Sequence, residues 1–220
     1  MASLFVSYFL IIIAYLAGVL SNVVLYGKGL ILPKWILPHY SLGDFFMKGI
    51  FFLLPAIILA MLLPELKPEK KEFKTELLKS FMAYGIAVFA YSFFNEINVY
   101  TAKNPLHNAL FWVSYVFYTL FSFGVLSVTM YVIRKEPKNI SFIFFGVLLV
   151  SFLYSYTIKR YFVHNRVLST IYFKDKSKIT GKIIADDESS IYILTKEGLH
   201  IVGSGAFEVI KIGVDNNKSK

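Results

Sequence analysis

From Met1 to Gly27 the chain carries no charged side chain. At 1.5 Å per helical residue, a run of that length crosses a hydrocarbon core of about 30 Å. Further apolar stretches follow at residues 44–63, 80–94, 109–133 and 140–158, each separated from the next by polar or charged residues. The apolar fraction of 56% and mean hydropathy of +0.60 exceed the roughly 45–50% apolar usage of a soluble domain. The excess lies almost entirely before Ile158, so oil is the expected solvent for the first part of the chain and water for the rest. A cleaved leader would begin with basic residues and hold a shorter apolar core; residues 1–27 have neither feature, and the expectation is a retained helix.

The individual spans have distinct signatures. In the second, Lys48 lies one turn inside, where its stem can carry the ammonium back to the interface, and Pro55 in mid-helix predicts a kink. The clean part of the third, residues 80–94, is shorter than a crossing, so polar residues enter it: Asn95, Glu96 and Asn98 if it extends to Tyr100, with Leu77 and Leu78 at its other end. The fourth is rich in hydroxyls (Ser114, Thr119, Ser122, Ser127, Thr129), which can bond to their own helix or to a neighbour. The fifth is expected at residues 140–158, between Arg134, Lys135 and Lys138 on one side and Lys159 and Arg160 on the other. Ala14 with Gly18, and Ala83 with Ala87, place small residues four apart, a spacing that lets helix backbones approach closely.

Residues 27–43 mix Pro33, Trp35, Pro38, His39 and Tyr40 with aliphatic side chains, which predicts a loop lying on the membrane. Residues 64–79 alternate acid and base and read as a solvated turn or helix extension. Eight basic residues in the second and fourth loops outnumber Lys28, Lys34, Lys103, Lys159, Arg160 and Arg166 on the opposite face. That margin favours a cytoplasmic amino terminus and an extracytoplasmic carboxyl domain, with Lys28 and Lys34 pulling the other way. The net charge of +9 is placed for anionic headgroups and orientation, and nucleic acid is not an expected partner.

After Tyr161 the pattern changes to short runs of β-branched and aromatic residues. Strands are expected at residues 167–173, 179–185, 190–195, 199–202 and 207–212, joined by turn-forming links such as Lys174-Asp175-Lys176 and Gly203-Ser204-Gly205. So few residues do not build a two-sheet sandwich, whereas a bent sheet closing on itself buries one face and removes most open edges. The expected organisation is a helical transmembrane domain (residues 1–160), a small five-stranded β-barrel domain (161–213) and a disordered tail (214–220).

The segment Gly181-Lys182-Ile183-Ile184-Ala185-Asp186, followed by Ile191-Tyr192-Ile193-Leu194, resembles the bent second strand, acidic turn and third strand of Sm-like and SH3-like small barrels. The resemblance covers the last quarter of the chain and implies a barrel fold. The Asn of the third-strand region and the late Arg-Gly pair of RNA-binding Sm proteins are missing, so it does not imply RNA binding. Small-conductance mechanosensitive channels also follow membrane helices with an Sm-like barrel. Their pore helix is lined by Gly and Ala, whereas the span here reads Phe142-Ile143-Phe144-Phe145-Gly146-Val147.

The search for chemistry returns little. With no cysteine, disulfides, thiolate metal sites and cysteine nucleophiles are excluded. His39, His107, His164 and His200 show no ligand spacing, and Asp186-Asp187-Glu188 reads as a solvated turn. No cofactor, metal or catalytic set is expected. The residues that invite a functional reading are Asn95, Glu96 and Asn98. Either the third span stops at Phe94 and Glu96 is wet, or these residues line a polar vestibule with Lys103 or His107 as a compensating partner. The expectation is a multi-pass, non-enzymatic scaffold or sensor of the cell membrane, self-associating in the bilayer, with a protein partner at its β domain. An oligomeric channel or transporter is the alternative, and a lipid-modifying enzyme ranks last.

Overall fold

The computed structural model describes residues 2–26, 34–63, 73–97, 105–136, 139–187 and 189–212, with side chains from Tyr8 onward. Asn98, Lys103, Glu188 and the tail at 214–220 lie outside these residues. Five helices precede the sheet: α1 (Ala2–Asn22), α2 (Leu42–Leu62), α3 (Phe73–Glu96), α4 (Ala109–Lys135) and α5 (Ser141–His164). The last four are long and apolar enough to cross a membrane; in α1 the side chains are described over Tyr8–Asn22. Two further strands between α1 and α2, β1 (Val24–Tyr26) and β2 (Lys34–Ile36), pair antiparallel.

Each helix has a local reason for its limits. Ser41 starts α2 with a reciprocal capping box: its hydroxyl accepts from the Asp44 amide, and the Asp44 carboxylate accepts from the Ser41 amide. Asn108 caps α4 through the Leu110 amide at 2.9 Å. Inside the bundle, Tyr84 donates to Ser122 at 2.8 Å and Tyr115 to the Gly85 carbonyl at 2.6 Å, tying α3 to α4. Thr129 bonds back to the Val125 carbonyl and Ser122 to that of Thr119, so the hydroxyls of α4 serve both roles open to them.

The tightest packing joins α1 and α2. A Cβ built on Gly18 would lie 1.8 Å from the Phe45 carbonyl oxygen, and one on Gly49 would lie 1.7 Å from that of Ala14. The Ala14/Gly18 pair therefore serves a contact within the chain, backbone against backbone. Pro55 is buried inside α2, beside an interior gap of about 10 Å³ lined by Phe52, Tyr84, Tyr118 and Leu126 among others.

The fifth helix departs from expectation. It does not stop at Ile158 but continues to His164, with a π-helical stretch over Ser155–Lys159. Lys159 therefore does not stand in a solvated collar; it is buried.

Beyond α5 come β3 (Leu168–Phe173), β4 (Lys178–Asp186), β5 (Ser190–Leu194), β6 (Leu199–Gly203) and β7 (Phe207–Ile212), close to the expected positions. They form one antiparallel sheet in the order β6-β5-β4-β3-β7. The sheet is not closed into a barrel, because β6 and β7 remain its two edges. It must nonetheless curl. Edges four strand spacings apart stand about 19 Å apart in a flat sheet, while the link at residues 204–206 reaches about 14 Å at most. The hollow face buries Ile171, Ile183, Ile191, Ile193 and Val202.

A register shift between Ile183 and Ala185 supplies part of the bend. Strand alternation puts Ile184 and Tyr192 on the opposite face from Ile183, Ile191 and Ile193. Ile184, Ala185 and Tyr192 instead bury against Val24 of β1 and Val163 of α5. This second apolar core belongs equally to the sheet and the bundle.

Candidate functional site: a buried polar cluster beneath the sheet

The chain runs up and down, so the last residues of α1, α3 and α5 and the first of α2 and α4 gather at the end that bears the sheet. A helix leaves its final carbonyls without intrahelical donors, and in a dry place these must be satisfied from outside. For α1 the partners are specific. Asn22 and Ser21 donate to the Gly18 carbonyl at 2.8 and 3.3 Å, Ser155 donates to that of Leu20 at 2.6 Å, and the Lys159 ammonium donates to that of Ser21 at 3.3 Å. Lys159 donates also to Asn22 Oδ1 at 3.2 Å. A cation at a helix carboxyl terminus has favourable electrostatics, and the π-helical stretch of α5 carries both donors, Ser155 and Lys159.

Glu96 is in the same cluster. Only 2% of it is exposed, so its position at the end of α3 does not make it wet. It accepts from Asn95 Nδ2 at 3.1 Å and from the Tyr154 hydroxyl of α5 at 3.4 Å. Glu96 and Lys159 make no contact ion pair; Tyr154 and Ser155, adjacent on α5, link their two sets of hydrogen bonds. Tyr154 is wholly buried, with Phe52, Tyr91 and Tyr118 packed edge-on around its ring at 5.4–5.5 Å. The bundle thus holds its one buried acid and one buried base, among the described span residues, within a single cluster.

Of the residues singled out from sequence, Asn95 donates to Glu96, while Asn98 lies outside the described residues. Lys103 also lies outside them, and His107 stands exposed in the turn before α4; among the described residues the partner of the cluster is another. It is Lys159, with Asn22 and Tyr154. The sequence held one sign of this: Asn22 is a carboxamide inside the long uncharged run of residues 1–27.

The loop before α2 fastens the sheet from above. The His39 amide donates to Asp187 Oδ2 at 3.1 Å, His39 Nδ1 lies 3.0 Å from the Tyr192 hydroxyl, and that hydroxyl donates to Asp187 Oδ2 at 2.9 Å. Tyr40 donates to the Asp186 carbonyl at 3.2 Å, and the Lys48 ammonium sits 4.3 Å over the Tyr40 ring. Burial, then the charges of Asp186, Glu96 and Asp187, push the Tyr40 phenol well above its ordinary range, so it stays a neutral donor. Burial raises the Asp187 carboxyl, but hydrogen bonds from Tyr192, Ser189 and the His39 amide outweigh it and hold that group below the usual value. Burial and the bond to Asp187 raise the Tyr192 phenol correspondingly. On the far side, Arg166 donates to the Ile183 carbonyl at 3.1 Å and Lys182 to that of His164 at 2.6 Å.

The arrangement is a junction. Most of its hydrogen bonds hold helix ends and sheet together, while among the described residues the buried Tyr91 and Ser92 hydroxyls of α3 find no hydrogen-bond partner and no group of three or more His, Asp or Glu converges as a metal site. Comparison of the chain with protein-family models, curated proteins and solved structures gives no match in any of the three.

Proposed function

We propose that this chain is a non-enzymatic, multi-pass scaffold or sensor of the cell membrane, crossing it five times with α1 as the first span. In this reading the curled sheet is the binding element and the helix ends beneath it are what responds. The observation that carries the proposal is the apolar core shared by Val24, Val163, Ile184, Ala185 and Tyr192, which couples the sheet to α1 and α5 directly. A partner that shifts β4 or β5 must also shift Val24, two residues beyond Asn22 of the polar cluster. The strand order is compatible with the small-barrel resemblance, and the unpaired edges β6 and β7 offer backbone donors and acceptors to a protein partner or a second copy.

The buried Glu96 and Lys159 are what favour the second reading, a channel or transporter, because ionisable groups at membrane depth often mark ion paths. Lys159 bonds the carboxyl terminus of α1 and Glu96 accepts from Asn95 and Tyr154, which gives both a structural task instead. Proteoliposomes containing the full chain test the choice. The scaffold reading expects no ion flux above that of empty vesicles under voltage or tension; a selective current abolished by Glu96→Gln would overturn it.

A further inference from the structure

A cleft of about 830 Å³ opens between the sheet and the end of α5. Its wall on the sheet side carries Lys178, Lys182 and Lys196 against a single carboxylate, Glu197, while Tyr26 and Val163 give it an apolar floor on the bundle side. Lys182 is held at the cleft base by its bond to the His164 carbonyl. Lys178 and Lys196 stand exposed, and their ammonium groups have no hydrogen-bond or ion-pair partner among the described residues. Leu168, 53% exposed, lies at the same cleft.

Position decides what such a cleft would meet. His164 ends the last candidate membrane span, so the cleft lies at the depth of the lipid headgroups. There an anion is plentiful and an apolar floor is an advantage. We propose that this cleft binds the phosphate of an anionic phospholipid headgroup, with Lys178 and Lys196 as its ligands and Lys182 fixing the base. Lysine serves phosphate as a point charge without demanding one orientation, which suits a headgroup that arrives from the lipid in varied poses. The inference rests on the docked sheet of the proposed function.

The test uses the full chain in nanodiscs of phosphatidylcholine containing a minor fraction of phosphatidylglycerol. Lipid retained after release into mild detergent is counted by native mass spectrometry. Lys178→Glu with Lys196→Glu should lower phosphatidylglycerol retention about tenfold or more. The charge-matched control Lys174→Glu with Lys211→Glu, both exposed and outside the cleft, should stay within about twofold of the parent. Equal loss in both variants means diffuse surface charge and overturns the site. Displacement of the lipid by soluble glycerol phosphate at millimolar concentration assigns the cleft to a free phosphate compound and overturns the lipid. A spin-label distance from bundle to sheet, measured on the same variants, separates failure here from failure of the docked sheet: a narrow distance without selective retention sinks this inference alone.

Discussion

Alanine in place of Gly18 tests the α1–α2 crossing most sharply. The added Cβ would begin 1.8 Å from the Phe45 carbonyl oxygen, with the Phe45 carbonyl carbon at 2.8 Å and the Gly49 nitrogen at 2.9 Å. All three neighbours are backbone, so no side chain can swing away. Real Cβ contacts do not fall under 3.0 Å, so the helices must part by about 3.0 − 1.8 = 1.2 Å. Overpacking of this kind costs about 3 kcal/mol, and the gap weakens dispersion contacts along the seam. Alanine recovers about 1 kcal/mol of helix propensity over glycine, leaving a net loss of about 2 kcal/mol. Gly124 on α4 is the internal control, because nothing lies within 4 Å of its Cβ position. Gly124→Ala should be neutral or stabilising by up to about 1 kcal/mol. The assay is unfolding of the detergent-solubilised full chain by increasing sodium dodecyl sulfate, followed by intrinsic fluorescence. Gly18→Ala, and Gly49→Ala with its Cβ 1.7 Å from the Ala14 oxygen, should move the midpoint down. Equal midpoints for the Gly18 and Gly124 variants would refute the close crossing.

Lys159→Met removes the donor to the Ser21 carbonyl and Asn22 Oδ1 and should destabilise the chain in the same unfolding assay by about 2 kcal/mol. Adding Glu96→Gln should cost less than the sum of the single changes, since the two groups share one cluster; strict additivity would place them in separate environments. Asp187 is held below the ordinary carboxylate value, so its contribution to docking is complete above that ordinary value and fades as pH falls through the lowered one. Hydrogen exchange at residues 189–192 should therefore speed up on acidification beyond the intrinsic trend, and Asp187→Asn should abolish the acid-dependent part. Tyr84→Phe deletes the 2.8 Å bond to Ser122 and should lower stability by about 1 kcal/mol, with little change expected in the melting of a Tyr8→Phe variant, whose ring is 66% exposed.

What the sequence revealed follows from which forces are local. The spans were legible because hydropathy is a property of each segment alone, and β3 to β7 because β-branched residues and turn links recur at strand spacing. The carboxyl end of α5 was not legible. A lysine and an arginine after an apolar run read as an interfacial collar, and nothing near Lys159 in sequence announces the α1 carbonyls that it satisfies. Glu96 was ambiguous for the same reason: its burial depends on Tyr154, 58 residues away. The hairpin of Val24–Tyr26 with Lys34–Ile36 was missed because three-residue strands carry too little period to detect. Barrel closure was overestimated, since edge removal favours closure in principle while the link at residues 204–206 requires only that the sheet curl.

The central claim is that bundle and sheet move as one body through their shared core and the His39–Asp187–Tyr192 bonds. The chain has no cysteine, so two can be introduced for spin labels without background, at Leu42 on α2 and Ile201 on β6, which are 75% and 58% exposed. Pulsed electron resonance of the full chain in nanodiscs should give one narrow distance distribution, broadened when Ile184→Asp spoils the shared core. A broad or multi-peaked distribution in the otherwise unaltered chain would contradict the account.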